Sequence, residues 1–307
     1  MALPGPWRHH DVSANGIRLH VVEADRPDRA GQAPLVLLLH GFPGFWWSWR
    51  HQLVSLASTH RVVACDLRGY GGSDRPPRGY DLWTLAGDVA GLVRALGARR
   101  AAVVGAGWGG AVGWTLAALH PGAVDRLAVV GTPHPLALRR AVRRDPLRQG
   151  RALLPALAVQ VPRLPEHRLR RDGAARVARL LAEGGGPGWP AGASTGAEAR
   201  GDDEVARHRA AMGVPRVPHC ALEYFRWAVR SQFRPDGRRF AAAVDHRLDL
   251  PVLALYGAED PWVTGSAVHA SARWCTDLTV RRLEGVGHFP HQEAPERTGA
   301  ELAAFLR

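Results

Sequence analysis

Residues 103–110 read Val103-Val104-Gly105-Ala106-Gly107-Trp108-Gly109-Gly110, the end of an apolar run that leads into a helical stretch. A small-x-nucleophile-x-small pattern at such a junction is a nucleophile elbow. The turn is so tight that its neighbours must be small, and the central residue is strained at the head of the helix. Gly105 and Gly109 supply the small neighbours. The centre is Gly107, which has no side chain. Glycine visits positive φ without strain, so the turn is expected to form all the same. Covalent catalysis needs an atom that attacks carbon, and Gly107 supplies none. The run also fits GxGxxG literally, the pattern of a dinucleotide loop. Bulky Trp108 inside the loop, and no clear acidic residue ending a second strand, argue against that reading.

The elements that position this turn are legible as short apolar runs alternating with helical stretches, the pattern of a mostly parallel sheet. The runs are 35–39, 62–65, 101–105, 127–130, 252–256 and 279–283, with an earlier strand expected at 18–22 after the Asn15-Gly16 turn. More than a hundred residues without a comparable strand separate the fourth run from the fifth. That stretch is dense in Arg, Pro and Gly. Residues 169–181 carry apolar residues at helical spacing, and 184–201 reads as a mobile Gly/Pro-rich loop. The expected division is a core of residues 1–135 and 248–307 with a helical cap of 136–247.

The 307 residues, 46% hydrophobic and 22% charged, suffice for one large core. The net charge is +12 and every basic residue is arginine. Residues 136–247 hold 22 of the 40 Arg against 11 of the 28 acids. A basic cap could attract an anionic substrate or an acidic partner, or arginine simply stands where other chains use lysine. The arginines are not interleaved with aromatics, so nucleic acid is not expected. No apolar run reaches the roughly 20 residues of a membrane span, and the first residues do not read as a signal peptide. Cys65, Cys220 and Cys275 are odd in number and far apart. A reduced, cytoplasmic setting is the simplest account, with no metal site and no cofactor. A homodimer is compatible with such a chain.

Five further segments carry a resemblance. His40-Gly41-Phe42-Pro43-Gly44-Phe45-Trp46-Trp47-Ser48-Trp49-Arg50, Asp66-Leu67-Arg68-Gly69-Tyr70-Gly71-Gly72-Ser73, Gly131-Thr132-Pro133-His134-Pro135, Gly257-Ala258-Glu259-Asp260 and Gly287-His288-Phe289-Pro290 occur in that order. Together they resemble the epoxide hydrolases and haloalkane dehalogenases of the α/β-hydrolase superfamily, at both ends of the core. The resemblance implies an α/β-hydrolase fold, a mostly parallel eight-stranded sheet flanked by helices with an inserted helical cap. It implies Asp260 as the acid and His288 as the base, the carboxylate fixing the tautomer and steadying the imidazolium. It implies an oxyanion hole of the Phe42 and Trp108 backbone N–H groups. Without the resemblance, His288 reads as a packed loop histidine and Asp260 as a turn residue before Pro261.

The chain departs from the family pattern in three places. The elbow usually reads His-Asp-Trp or His-Ser; here those places hold Ala106 and Gly107. Epoxide hydrolases use cap tyrosines to hydrogen-bond the epoxide oxygen. The cap has one, Tyr224, and the ring-opening place holds Phe225 unless the register shifts by one. Gly44 stands where the family often has Glu. Ser48 and Ser73 lie on loops whose family roles are structural, and Cys65 ends a buried strand, where free cysteine is usually core.

Three functions follow. One is general-base chemistry through His288 and Asp260 on a bulky apolar small molecule, without a covalent intermediate. Another is a catalytically silent binder of a small molecule. The third is a hydrolase whose nucleophile comes from elsewhere, such as the cap. The ligand is expected between the cap and the carboxyl ends of the strands, lined by His40, Phe42, Trp46, Trp47, Trp108, Tyr224 and Phe225. The small Ala106 and Gly107 should enlarge its floor. Trp49, Trp83 and Trp114 are expected in the core.

Overall fold

The computed structural model describes residues 2–25, 33–150, 152, 154–190 and 200–307, with the side chains of residues 200–203 left aside. Among these, eight strands form one sheet: β1 (Arg8–Ala14), β2 (Ile17–Ala24), β3 (Leu35–Leu39), β4 (Arg61–Cys65), β5 (Ala101–Ala106), β6 (Val124–Val130), β7 (Leu248–Gly257) and β8 (Cys275–Leu283). Their order across the sheet is β1-β2-β4-β3-β5-β6-β7-β8. β1 and β2 pair antiparallel with each other and β2 antiparallel with β4, while β3 to β8 run parallel. Seven strands coincide with the expected runs. β1 was not expected, because Arg-His-His-Asp at its start has no apolar alternation; it is held as an edge by the full register of β2.

The central strands are buried on both faces, which is why they read as unbroken apolar runs. In β3, Leu35, Leu37 and Leu39 join one apolar cluster and Val36 and Leu38 the other. The first cluster includes α2 (Leu82–Ala95) and α3 (Trp108–Leu119); the second includes α1 (Arg50–Leu56) and the C-terminal helix Pro295–Leu306. Trp49 and Trp114 are fully buried, as expected. Trp83 is not: it is 37% exposed on α2, where its ring meets that of Phe240 edge to face.

The described residues between β6 and β7 contain no strand. They form helices at Pro135–Arg144, Leu154–Ala158, Leu164–Gly184, Arg200–Gly213, Val217–Arg230 and Pro235–Ala243. Helix Leu164–Gly184 contains the periodic stretch 169–181, but its backbone leaves helical geometry at Arg171 and turns to positive φ through Asp172, Gly173 and Ala174. Of the loop expected at 184–201, Gly184 ends that helix, Arg200 opens the next, and residues 191–199 lie outside the described residues. The insertion is tied to the core by Arg50–Glu204 at 2.9 Å, by Ser48 Oγ with His208 Nε2 at 3.2 Å, and by Tyr224 Oη donating to the Arg68 carbonyl at 2.7 Å. No described helix is long and apolar enough to cross a membrane.

Candidate active site

Parallel strands place their carboxyl ends on one edge, and four adjacent ones deliver the site. β5 ends at the turn around Gly107, β6 at Gly131, β7 ahead of Asp260 and β8 ahead of His288. The turn is as sharp as the sequence requires. Gly107 has φ 50° and ψ −118° and passes directly into α3. A Cβ on Gly105 would lie 2.3 Å from the Gly109 carbonyl oxygen, and one on Gly109 would lie 2.1 Å from that of Leu39. Neither position tolerates a side chain. Gly107 is different, because a Cβ there would meet only Gly41 Cα at 3.5 Å and His288 Nε2 at 3.8 Å. The turn is pinned through the Gly107 carbonyl, which accepts from Ala111 N–H and Thr132 Oγ1, both at 3.0 Å.

The imidazole facing that space is fixed from behind. His288 Nδ1 and Asp260 Oδ2 are 2.8 Å apart. The Asp260 side chain is fully buried, and its other oxygen accepts the backbone N–H groups of Trp262 (2.8 Å) and Val263 (3.0 Å). A carboxylate with three donors stays oriented, which makes Nδ1 the donor to Asp260 and leaves Nε2 toward Gly107. Nε2 has no protein partner among the described residues. The His288 loop is held by Glu293, which sequence reasoning missed: its carboxylate accepts from Gly186, Gly287 and Phe289 N–H, each at 2.7 Å. Trp262, also missed, sets the edge of one ring against another with His288, centroids 4.8 Å apart. Its place directly after Asp260-Pro261 was the only signal in the sequence.

Two backbone amides border the same space. His40–Phe42 lies against the turn, a Cβ on Gly41 falling 2.8 Å from the Ala106 carbonyl oxygen. Neither the Phe42 nor the Trp108 N–H finds a protein acceptor among the described residues. Phe225 meets Phe42 and Trp108 edge to face, both at 5.2 Å, so three rings close together beside the turn.

The remaining expected lining residues are not brought there. His40 is fully buried, its Nδ1 on the Gly41 carbonyl at 2.9 Å and its Nε2 accepting Leu67 N–H at 3.1 Å. Burial pushes its pKa down, and no ring nitrogen is left for a ligand. Its work is to join two loops. Trp46 and Trp47 belong to the apolar cluster on the opposite sheet face, against Trp7. The 3-10 turn Trp46–Trp49 directs them there, whereas their place in the family-like segment 40–50 suggests the pocket. Tyr224 is also fully buried, with its hydroxyl committed to the Arg68 carbonyl. Its ring touches Trp108, but its oxygen does not face the turn.

The other candidate nucleophiles are occupied. Ser48 sits against His208, and a Cβ on Gly44 would come 2.5 Å from its Oγ. Ser73 donates to the Asp66 carbonyl at 2.5 Å. Cys65, Cys220 and Cys275 are free and buried, and burial raises each thiol, Cys275 to about 12. Asp66 organises its loop: it accepts from Trp46 and Gly72 N–H, both at 2.9 Å, and meets His20 at 2.8 Å. The basic insertion forms a cleft of about 600 Å³ lined by Arg163, Glu166, His167, Arg170, Arg171 and His219, none of them at His288. No group of residues suited to a metal ion occurs among the described residues.

Comparison with known proteins places this geometry. The family described as α/β hydrolase fold matches residues 34–295. Epoxide hydrolase A of Mycobacterium tuberculosis is 32% identical over 315 residues, covering 96% of each chain. Epoxide hydrolase 2 of Caenorhabditis elegans is 28% identical over 305 residues, 98% of this chain and 80% of that protein. Among solved structures, a Bacillus megaterium epoxide hydrolase in complex with an inhibitor superposes with a TM-score of 0.81 at 25% identity, covering 97% of this chain and 99% of that one. With its sheet order, its strand-end site and these relatives, the chain belongs to the α/β hydrolase fold family and has epoxide hydrolases as homologues.

Proposed function

We propose that this epoxide-hydrolase-like protein lacks a covalent nucleophile and acts on an apolar small molecule by general-base chemistry, His288 taking the proton and Asp260 steadying the imidazolium. The observation that carries this reading is the 3.8 Å between His288 Nε2 and the place where a side chain on Gly107 would begin. A dyad is assembled with its partner hydrogen bonds intact around a residue that has nothing to attack with. A general base needs only a proton within about 2.6–3.2 Å of Nε2, on a bound water or on the substrate. The Phe42 and Trp108 N–H groups would stabilise an oxyanion formed beside the turn. The apolar walls Phe42, Trp108, Phe225 and Trp262 fit an apolar ligand, and the similar Bacillus megaterium enzyme binds an inhibitor. The burial of Ser48, Ser73 and Cys65 counts against a nucleophile from elsewhere in the core.

A second reading, ligand binding without turnover, is favoured by one observation. The cap offers no tyrosine hydroxyl at the expected place, since Tyr224 is committed to the Arg68 carbonyl and Phe225 has none. The test compares turnover of model epoxides and esters by the native protein, His288→Ala and Gly107→Asp. Native turnover lost in His288→Ala supports general-base chemistry. Turnover only in Gly107→Asp refutes it and favours the silent binder. A covalent adduct on the native chain in intact-protein mass spectrometry refutes both.

A further inference from the structure

Two backbone donors border the space over Gly107, and His288 Nε2, an acceptor in the tautomer that Asp260 sets, becomes a third donor once the imidazole takes a proton. The Phe42 and Trp108 N–H groups have no protein acceptor among the described residues, and His288 Nε2 has no partner there. Two carbonyls beside it are taken: Gly107 O by Ala111 and Thr132, and Gly41 O by Gly44 and His40. Asp260, its side chain buried and already holding three donors, lies behind the imidazole. A carboxylate on residue 107 would satisfy these donors, and the chain does not supply one. Nothing but ordinary contacts, 3.5 and 3.8 Å, stands where its first carbon would be.

We propose that the ligand supplies it: the space between Gly107, His288 Nε2 and the Phe42 and Trp108 amides is the head-group subsite for a carboxylate on an apolar small molecule. One carboxylate oxygen accepts from Nε2–H of the imidazolium and the other from the two amides. The body of the molecule lies against Phe42, Phe225 and Trp262. This rests on the His288–Asp260 site as a binding site, the second reading above: with Nε2 protonated and both amides filled, the bound carboxylate is held and not turned over. Two forces set the preference. A charge-assisted hydrogen bond is roughly twice as strong as a neutral one, and the Trp108 amide, the first of α3, sits at its positive pole. A neutral isostere keeps the apolar contacts and loses both. The net charge of +12 favours the encounter with an anion.

The test titrates the native protein with phenylacetate and phenylacetamide, read by calorimetry in buffers of different ionisation heat and by tryptophan fluorescence. Phenylacetate is expected to bind about 10- to 100-fold more tightly than the amide, the range for a hydrogen bond to a charged group, with proton uptake on binding. His288→Gln should remove the preference while leaving the weaker amide binding in place. Gly107→Asp, checked for folding by circular dichroism, should exclude phenylacetate by filling the subsite with its own carboxylate. Equal affinities for the two ligands, an unchanged preference in His288→Gln, or no binding of either overturns the carboxylate subsite. The general-base reading stands apart from these results: it falls only if native turnover is absent or independent of His288.

Discussion

Replacing Gly107 by serine tests whether the site lacks only one side chain. The backbone at Gly107, φ 50° and ψ −118°, is one that L residues rarely adopt, at a cost of about 1–3 kcal/mol. Serine restricts the unfolded chain more than glycine does, which returns about 0.4–1 kcal/mol. Sterics add nothing, because the new Cβ makes only ordinary contacts with Gly41 and His288. The net cost is therefore about 1–2 kcal/mol, or a fall in Tm of about 2–8 °C at roughly 2–4 °C per kcal/mol. Against that stands the chemistry. Removing a triad nucleophile typically costs about 10⁴–10⁶ in kcat, and supplying one beside an intact base recovers part of that factor. Acyl transfer needs a nucleophile, a base and an oxyanion hole, and no acid on a ring oxygen. The assay is p-nitrophenyl acetate in a stopped-flow instrument. Gly107→Ser is expected to release a burst of about one equivalent of nitrophenol and to carry an acetyl group by intact mass, and the added His288→Ala to abolish both. A folded Gly107→Ser chain that does not acylate, or acylates without His288, would refute the assignment of the dyad and its amides.

Epoxide opening asks for more. Gly107→Asp alone should remain poor, because Phe225 cannot protonate the ring oxygen; Gly107→Asp with Phe225→Tyr should hydrolyse styrene oxide at least 10-fold faster than the single variant, read as diol formed. Asp260→Asn keeps the shape but favours the wrong imidazole tautomer, an effect of up to about 10⁴ in kcat in triads. Any His288-dependent turnover should fall accordingly, measured as kcat with KM recorded separately. Tyr224→Phe removes the bond to the Arg68 carbonyl and should cost about 0.5–1.5 kcal/mol of stability in urea unfolding. His134 lies between Trp114 and Trp274, and burial holds its pKa down to about 3. Below its ordinary pKa of about 6.5 the unfolded chain takes a proton that the folded one refuses, so stability falls from there toward about pH 3. His134→Phe should flatten that limb in urea unfolding between pH 4 and 7; an unchanged slope would show that His134 protonates freely in the fold.

Most of the fold was legible because its determinants are local. Parallel strands buried on both faces must be apolar throughout, so residues 35–39 or 101–105 announce themselves, whereas edge strand β1 is polar and depends on its partner. The sharp turn at Gly107 was equally legible, since its run of small residues is contiguous in the chain, although the contact that excludes a side chain at Gly109 comes from Leu39 on the neighbouring strand. Asp260 and His288 needed the family resemblance to be singled out. Only the tertiary structure decided which aromatics reach the turn. Trp46 and Trp47 directly follow Phe45 and are close to Phe42 in the chain, yet a 3-10 turn carries them to the other face of the sheet. Tyr224 and Phe225 are neighbours on one helix, and its rotation alone sends the hydroxyl into the core and the phenyl ring to the site. Residue type sets what a side chain can do; the direction it points is fixed by packing against residues distant in the chain, which no local pattern encodes.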